Sequence, residues 1–309
     1  MVKYAFKRLL WAIVTLLVIL FVLFMLLEFM PGSPFNDERL TPQQIQVLKE
    51  SYGLNEHFFT KFTIFIKNVL KGDFGISFGV FKNMPVSDIV LPRLGVSVRL
   101  GAQALGLGTI FGLILGAISS SNHNTWKDSL STIVAVIGVS IPSFVFALTL
   151  AYVVGYKMQL VPITFDASNP IMSTILPTIA LSMFVMAQIT RFLRTELIDV
   201  LDSDFIKLVR AKGVSPRNAI TKHALRNALV SVITVLGPLM VNLMTGSLVV
   251  EKVFGIPGIG SLLVEAIQIN DFNVIIMVAF VYSALYIFVN LGVDILYGVI
   301  DPRIRVAKG

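Results

Sequence analysis

Few residues of this 309-residue chain are of types that do chemistry, and their spacing excludes most of it. There is no cysteine, so thiolate nucleophiles, thiolate metal sites and disulfides are ruled out. The three histidines, His57, His123 and His223, stand far apart and share no ligand spacing, so no built-in metal centre is expected. The chain has no G-x-x-x-x-G-K-[ST] loop to cradle nucleotide phosphates. The glycine-rich stretch GIPGIG at 255–260 carries no lysine and reads as a rigid turn. No histidine falls inside an apolar block, so a serine hydrolase working within a bilayer would lack its base. What stands out is DFIKLVRAKGVSPRNAITKHALRNAL at 204–229, with six Lys or Arg, one Asp and one His between long apolar stretches. Its chemistry is recognition through charge and shape.

The elements that must position this segment are membrane helices. Only 14% of residues are charged against about 25% in a soluble domain, and 55% are hydrophobic. The apolar residues come in blocks long enough to cross about 30 Å of hydrocarbon as helices. Six blocks read as spans: 9–29, 97–119, 130–156, 171–192, 229–250 and 274–299. The expected fold class is an all-α polytopic membrane protein with six transmembrane helices, the first an uncleaved anchor. A β-barrel would show short alternating segments instead.

Orientation follows from Lys and Arg. With the N-terminus inside, the pieces 1–8, 120–129, 193–228 (with Arg191) and 300–309 hold 15 of the 25, which places both termini in the cytoplasm. The net charge of +7 is then loop bias, not a nucleic-acid signal. Three regions are expected: 1–29, the N-terminus and first span; 30–96, an external loop; and 97–309, a five-helix core with the cytoplasmic loop 193–228. Within the external loop, 57–75 forms an amphipathic helix with Phe58, Phe62, Phe65, Ile66 and Val69 on one face. That face either lies on the membrane surface or packs on the bundle.

Pro142, Pro177 and Pro238 interrupt spans and fit either kinked helices around a cavity or ordinary packing. Gly108, Gly112 and Gly116, four apart, let another helix approach closely. Gln103, Gln188, Asn242, Asn290 and Asp294 are the polar groups within spans. Gln103, Asn242 and Thr245 are candidates for a polar path, with interhelical hydrogen bonding as the alternative.

In the basic segment, DSDF at 202–205 offers caps for a short helix that stops at Gly213; Ser215 and Pro216 then start a second helix. Three uses are open. A topology anchor needs the charge but not the caps. A DNA-reading helix–turn–helix is pinned to the bilayer at both ends and has little freedom to enter a groove. A docking knob, gripped by a partner to move the spans, needs that stiff attachment.

RAKGVSPRNAITKHALRNAL resembles the cytoplasmic loop of ABC importer permeases, specifically the B-type subunit of the peptide branch. Against the general importer pattern, Gly213 and Leu225 keep their places, whereas Lys207-Leu208-Val209 replaces Glu-Ala-Ala, His223 replaces Ile and Arg226 replaces Pro. Also similar are MPGSPF at 30–35, YGLN at 52–55, GDFGISF at 72–78, PVSDIVLPRLGVSVRL at 85–100, PSF at 142–144, VEKVFGIPGIGSLLVEAI at 250–267 and DPRIR at 301–305. The resemblance implies a type I importer permease bundle in the bacterial cytoplasmic membrane. It further implies a second, similar permease, two cytoplasmic ATPases that bind ATP and Mg, and an external peptide-binding protein, with no cofactor on this chain. It makes the loop near 204–213 the coupling helix, with Arg210, Ala211, Lys212 and Gly213 as its contact core and Phe205 and Leu208 packing beside them. Oligopeptides are the leading cargo, ahead of dipeptides, glutathione or chelated nickel. A stand-alone secondary transporter, with internal repeats or a charge relay, is the alternative from another class.

Overall fold

The computed structural model describes residues 2–30, 43, 46–47, 56–215, 218–244 and 248–300. The motifs at 31–35, 52–55 and 301–305, together with Pro216, Thr245 and the Asp294 side chain, lie outside the described residues. The chain divides into two compact units, Met1–Val96 with Pro257–Phe288, and Ser97–Ile256 with Val289–Gly309. Helices are numbered as follows: α1 Val2–Glu28, α2 Phe58–Val69, α3 Val86–Ser121, α4 Trp126–Ser140, α5 Ser143–Leu150, α6 Pro170–Ser173, α7 Ile175–Asp202, α8 Asp204–Ala211, α9 Leu225–Met244, α10 Leu248–Val253, α11 Ile259–Gln268 and α12 Phe272–Ile300. π-helical stretches follow α5 (Ala151–Lys157) and precede α9 (Ala219–Ala224). Among the described residues, five stretches are long and apolar enough to cross a membrane: Lys7–Glu28, Val86–Ser121, Ile175–Asp202, Ala219–Leu243 and Phe272–Val293.

In the first unit, the aromatic face of α2 is spent on α1. Phe58 and Phe62 meet Phe21 and Phe24 edge-on, and Phe65 lies 5.6 Å from Phe24. Such ring pairs add about 0.5–1.5 kcal/mol each beyond the area they bury. Lys61 closes the joint with a 2.6 Å ion pair to Glu28. Of the two readings of this helix, packing on its own bundle accounts for these rings. Its neighbours bury Leu20, Leu27, Val86, Ile89, Val90, Ile259, Leu262 and Val274 in a common core.

The stretch that joins α2 to α3 is held by a buried carboxylate. Asp271 accepts the Ser77 hydroxyl at 2.5 Å and the backbone N–H groups of Gly79 and Val80 at 2.9 and 3.1 Å. Asn273 donates to the Ile76 carbonyl at 2.8 Å.

In the second unit, α3 and α7 run parallel at close range. A Cβ on Gly108 would stand 2.7 Å from the Ser182 carbonyl oxygen. On Gly112 it would stand 2.9 Å from that of Met186, and on Gly116 it would stand 3.1 Å from that of Thr190. The expected small-residue seam is thus the α3–α7 contact, and the lack of side chains lets the backbones meet.

The third apolar block is not one kinked helix. It is α4 followed by α5 and its π-helical turn, bent by 101°. Proline drives the residue before it out of the helical region. Ile141 accordingly sits at φ −87°, ψ 122°, and Pro142 begins the next helix. The pair tracks α7 in the antiparallel sense. Asp128 lies against Arg194, Gly138 faces Met183 and Ala187, and Gly155 faces Leu176. Leu176 and Arg194 are about 27 Å apart along α7 at 1.5 Å per residue.

Other expectations change at their edges. Pro177 interrupts nothing, because it sits in the first turn of α7, where N–H groups have no intrahelical partner. Pro238 lies within α9. The helix expected at 97–119 starts at Val86 and contains Pro92, and the one expected at 171–192 continues to Asp202. The block at 229–250 is carried by α9 and the separate α10.

Candidate coupling site

α7 gives way to α8 through a single extended residue, Ser203 (φ −68°, ψ 151°). Its hydroxyl does not cap α8 as its position suggested; it donates back to the Val200 carbonyl at 2.6 Å. The Ser203 carbonyl instead accepts the N–H groups of Ile206 and Lys207. The turn is therefore tight, and α8 leaves α7 with almost no slack.

α8 divides into an inner and an outer stripe. Ile206 and Val209, three apart, are buried. Phe205 and Leu208 are 47% and 56% exposed, and Arg210, Ala211, Lys212 and Gly213 are exposed as well. Sequence spacing alone would group Val209 with Phe205 and Leu208, four and one positions before it. The helix turns Val209 inward with Ile206 because α8 packs on α7 and on the Ala219–Ala224 turn. Burying those two side chains contributes roughly 1.5–3 kcal/mol each. All six predicted contact residues are thus exposed, apolar at Phe205 and Leu208 and basic at Arg210 and Lys212, while the neighbouring Lys207 is paired with Asp204 at 2.8 Å.

Gly213 ends α8 with φ +82°, and its N–H donates to the Arg210 carbonyl at 2.9 Å. A left-handed residue at this position is the usual helix stop. No atom lies within 4 Å of where its Cβ would be, so the demand for glycine is conformational, not steric. Ser215 starts the return arm as expected, taking the Asn218 N–H on its hydroxyl at 3.4 Å and the Ala219 N–H on its carbonyl at 2.9 Å.

Gln103 and Asn242 are found in different settings. Gln103 accepts the Thr178 hydroxyl at 3.3 Å, an interhelical hydrogen bond between α3 and α7. Asn242 lines a cavity of about 390 Å³ at the Pro142 bend, with Ile137, Phe146, Leu181, Met183 and Phe184 among its walls. Thr245 falls outside the described residues.

Sequence reasoning missed two buried carboxylates in this unit. Asp128, 4% exposed, takes both nitrogens of the Arg194 fork: Nε at 2.7 Å and Nη2 at 2.9 Å. Glu251, fully buried in the VEKVFGIPGIG motif, accepts the Ser97 hydroxyl at 2.6 Å. Both acids sit beside lysines in the sequence and read there as ordinary charge; their partners lie 66 and 154 positions away. GIPGIG follows Glu251 and opens with a turn. Gly255 has φ +63°, and the Ile256 N–H closes onto the Glu251 carbonyl at 2.8 Å.

Comparison with known proteins places this architecture. The family model for the inner membrane component of binding-protein-dependent transport systems matches residues 108–306, and its N-terminal companion matches residues 1–101. A dipeptide transport system permease protein, DppB of Lactococcus lactis subsp. cremoris, is 41% identical over 99% of this chain and 100% of its own length. The oligopeptide transport system permease protein OppB of Haemophilus influenzae is 38% identical over the same shares. Among solved structures, the inward-facing MetNI methionine ABC transporter matches with a TM-score of 0.57 at 15% identity, covering 69% of this chain and 96% of that one. The fold is therefore that of an ABC importer permease. The chain is a multi-pass membrane protein that belongs to the family of binding-protein-dependent transport system inner membrane components.

Proposed function

We propose that this chain is one permease subunit of an ATP-driven importer of oligopeptides, and that α8 is the helix its ATPase grips. The carrying observation is the two-sided build of α8. Ile206 and Val209 lock it to α7, while Phe205, Leu208, Arg210 and Lys212 face outward and Gly213 terminates it at φ +82°. An outward surface that combines exposed apolar side chains with Arg210 and Lys212 suits a groove with acidic groups. Because α8 joins α7 through Ser203 alone, displacement of the knob displaces a spanning helix. ATP-driven closure of two ATPases, each holding its own ATP and Mg, would move two such knobs. That movement would shift the bundle between inward-open and outward-open states. The complete assembly then comprises a second, homologous permease, two cytoplasmic ATPases and an external binding protein that delivers the peptide.

The proposed topology keeps both termini in the cytoplasm of a bacterial cell and segment 30–96 outside. The antiparallel course of the bent pair along α7 supports counting it as a sixth crossing rather than a re-entrant loop. The cavity beside Asn242 is the part of the described structure best suited to the translocation path. The relatives named for dipeptides and oligopeptides are 38–41% identical, so identity does not separate the two cargoes.

The test is gentle affinity purification of the tagged chain from its native membrane, with mass spectrometry of what comes with it. ATPase activity is then assayed with dipeptides, tripeptides, longer peptides, glutathione and chelated nickel. Recovery of a second permease and two nucleotide-binding chains, with hydrolysis stimulated by tripeptides or longer peptides, supports the reading. A lone chain that still moves solute after reconstitution would overturn it.

A further inference from the structure

We propose that Asp128 and Arg194 form a register clamp that passes movement of α8 to the bent helix pair and its cavity. The proposal rests on the reading that an ATPase grips α8. Arg194 stands about two turns before the end of α7, on the arm that leads directly into α8. Asp128 is in the first turn of α4, the helix that leads to the Pro142 bend. The two side chains therefore join the driven helix to the cavity wall.

The carboxylate is fully engaged. On one oxygen it accepts Arg194 Nε and the Ser119 hydroxyl from the end of α3. On the other it accepts Arg194 Nη2 and the backbone N–H of Asn124 at 3.0 Å. His123 Nδ1 lies 3.2 Å from Arg194 Nη2 and 3.3 Å from the same carboxylate oxygen. Asn124 itself holds φ +62°, in the left-handed region that asparagine tolerates better than most non-glycine residues, and this aims its N–H at the carboxylate. One carboxylate thus gathers α3, the α3–α4 turn, α4 and α7.

Elsewhere along this seam the described contacts are neutral. At Gly138, α4 meets the Met183 carbonyl and the Ala187 methyl, and at Gly108, Gly112 and Gly116, α3 meets α7 backbone to backbone, with two long hydrogen bonds beside them, Thr178 to Gln103 at 3.3 Å and Thr190 to the Gly112 carbonyl at 3.4 Å. Contacts of small and apolar groups have no preferred direction and permit helices to shear. A forked arginine–carboxylate pair has a single good geometry. Its net contribution to stability is small because desolvation offsets most of the attraction, so stability alone does not explain a buried pair here. Holding one alignment while α7 is pushed does.

The experiment uses the complex purified from native membranes and reconstituted in vesicles, with tri-alanine as the probe, recording uptake and ATP hydrolysis together. For Asp128→Asn, uptake per ATP is expected to fall about tenfold while hydrolysis continues, the upper range for residues along a coupling route. Arg194→Lys, which keeps the charge and removes the fork, is expected to lower the same ratio by a smaller factor. A ratio within about twofold of the unaltered complex overturns the clamp, because coupling effects of this class begin at about that size. So does a fall of uptake and hydrolysis together in proportion to the amount of complex, which marks a merely structural role. Should Asp128→Asn not assemble, Arg194→Lys decides on the same criterion. The unaltered complex separates the two ideas. No ATP-driven uptake there overturns the oligopeptide reading and the clamp with it, whereas normal uptake with unchanged ratios in the variants overturns the clamp alone.

Discussion

Phe205 on α8 and His223 on the turn into α9 meet with ring centroids 6.2 Å apart and planes inclined by 64°. The contact ties together the two arms of a loop that leaves one membrane helix and enters another. With Ile206 and Val209 buried beneath it, the loop is a small folded body, not a charged tether. That distinction separates a docking knob from a topology anchor, and it yields the first test.

Inner and outer residues of α8 should fail differently. Ile206→Ala removes a fully buried side chain and is expected to destabilise the purified protein by about 2–5 kcal/mol, read as an earlier unfolding transition in detergent. Leu208→Ala, on the exposed side, should change stability by less than about 0.5 kcal/mol yet weaken ATPase association and uptake. Equal losses of stability in both variants would contradict the two-sided helix.

At Gly213 the choice of replacement matters more than its size. The site is open, and the strain comes from φ +82°. Asparagine tolerates this region, whereas a β-branched residue does not, at a cost of about 1–2 kcal/mol or more. Gly213→Asn should therefore retain most uptake. Gly213→Val should reach the membrane in normal amount but lose coupling. Comparing membrane levels with uptake for the two variants checks this.

The α3–α7 seam should not accept side chains. A Cβ at Gly112 would sit 2.7 Å from Ile189 Cβ and 2.9 Å from the Met186 carbonyl oxygen, so the helices must separate. Gly112→Val is expected to cost about 1–3 kcal/mol and to lower the thermal midpoint of the purified protein. Gly106→Val, where nothing lies within 4 Å, serves as the control and should leave the midpoint close to that of the parent.

Asp271 organises the stretch before α3. Asp271→Ala strands the Ser77 hydroxyl and the Gly79 and Val80 N–H groups, each at about 1–3 kcal/mol if no water reaches it. Protease cleavage between 72 and 85 should quicken in the alanine variant, and less so in Asp271→Asn, which keeps one acceptor. Unchanged cleavage in the alanine variant would show that the remaining hydrogen bonds, among them Asn273 to Ile76 and Ser77 to Met84, suffice to hold the stretch.

Much of the architecture was legible because a bilayer restricts what a chain can do. Long apolar blocks have to be helices, and prolines and glycines mark where those helices bend or touch. The blocks near 97–119 and 274–299 lie within single helices, 9–29 overruns α1 by one residue, 171–192 is carried by α6 and α7 with Thr174 between them, and glycines four apart predicted a close seam that proved to join α3 to α7. Gly213 was legible for a similar reason: few residues other than glycine end a helix in the left-handed region. The sequence could not tell which stripe of α8 faces inward, because an eight-residue helix carries two apolar pairs and only its neighbours decide between them.

By itself the sequence determined the helical membrane class, the basic loop with its glycine stop, and the family to which the chain belongs. Those are properties of composition, local geometry and pattern, each written within a short stretch. Only the tertiary structure decided that Pro142 turns the chain through 101°, that α2 spends its phenylalanines on α1, and that Asp128, Glu251 and Asp271 are buried. Their partners, Arg194, Ser97 and Ser77, lie 66, 154 and 194 residues away, and no local rule of charge or periodicity reaches across such distances. A carboxylate reads as surface charge until the fold brings a donor to it.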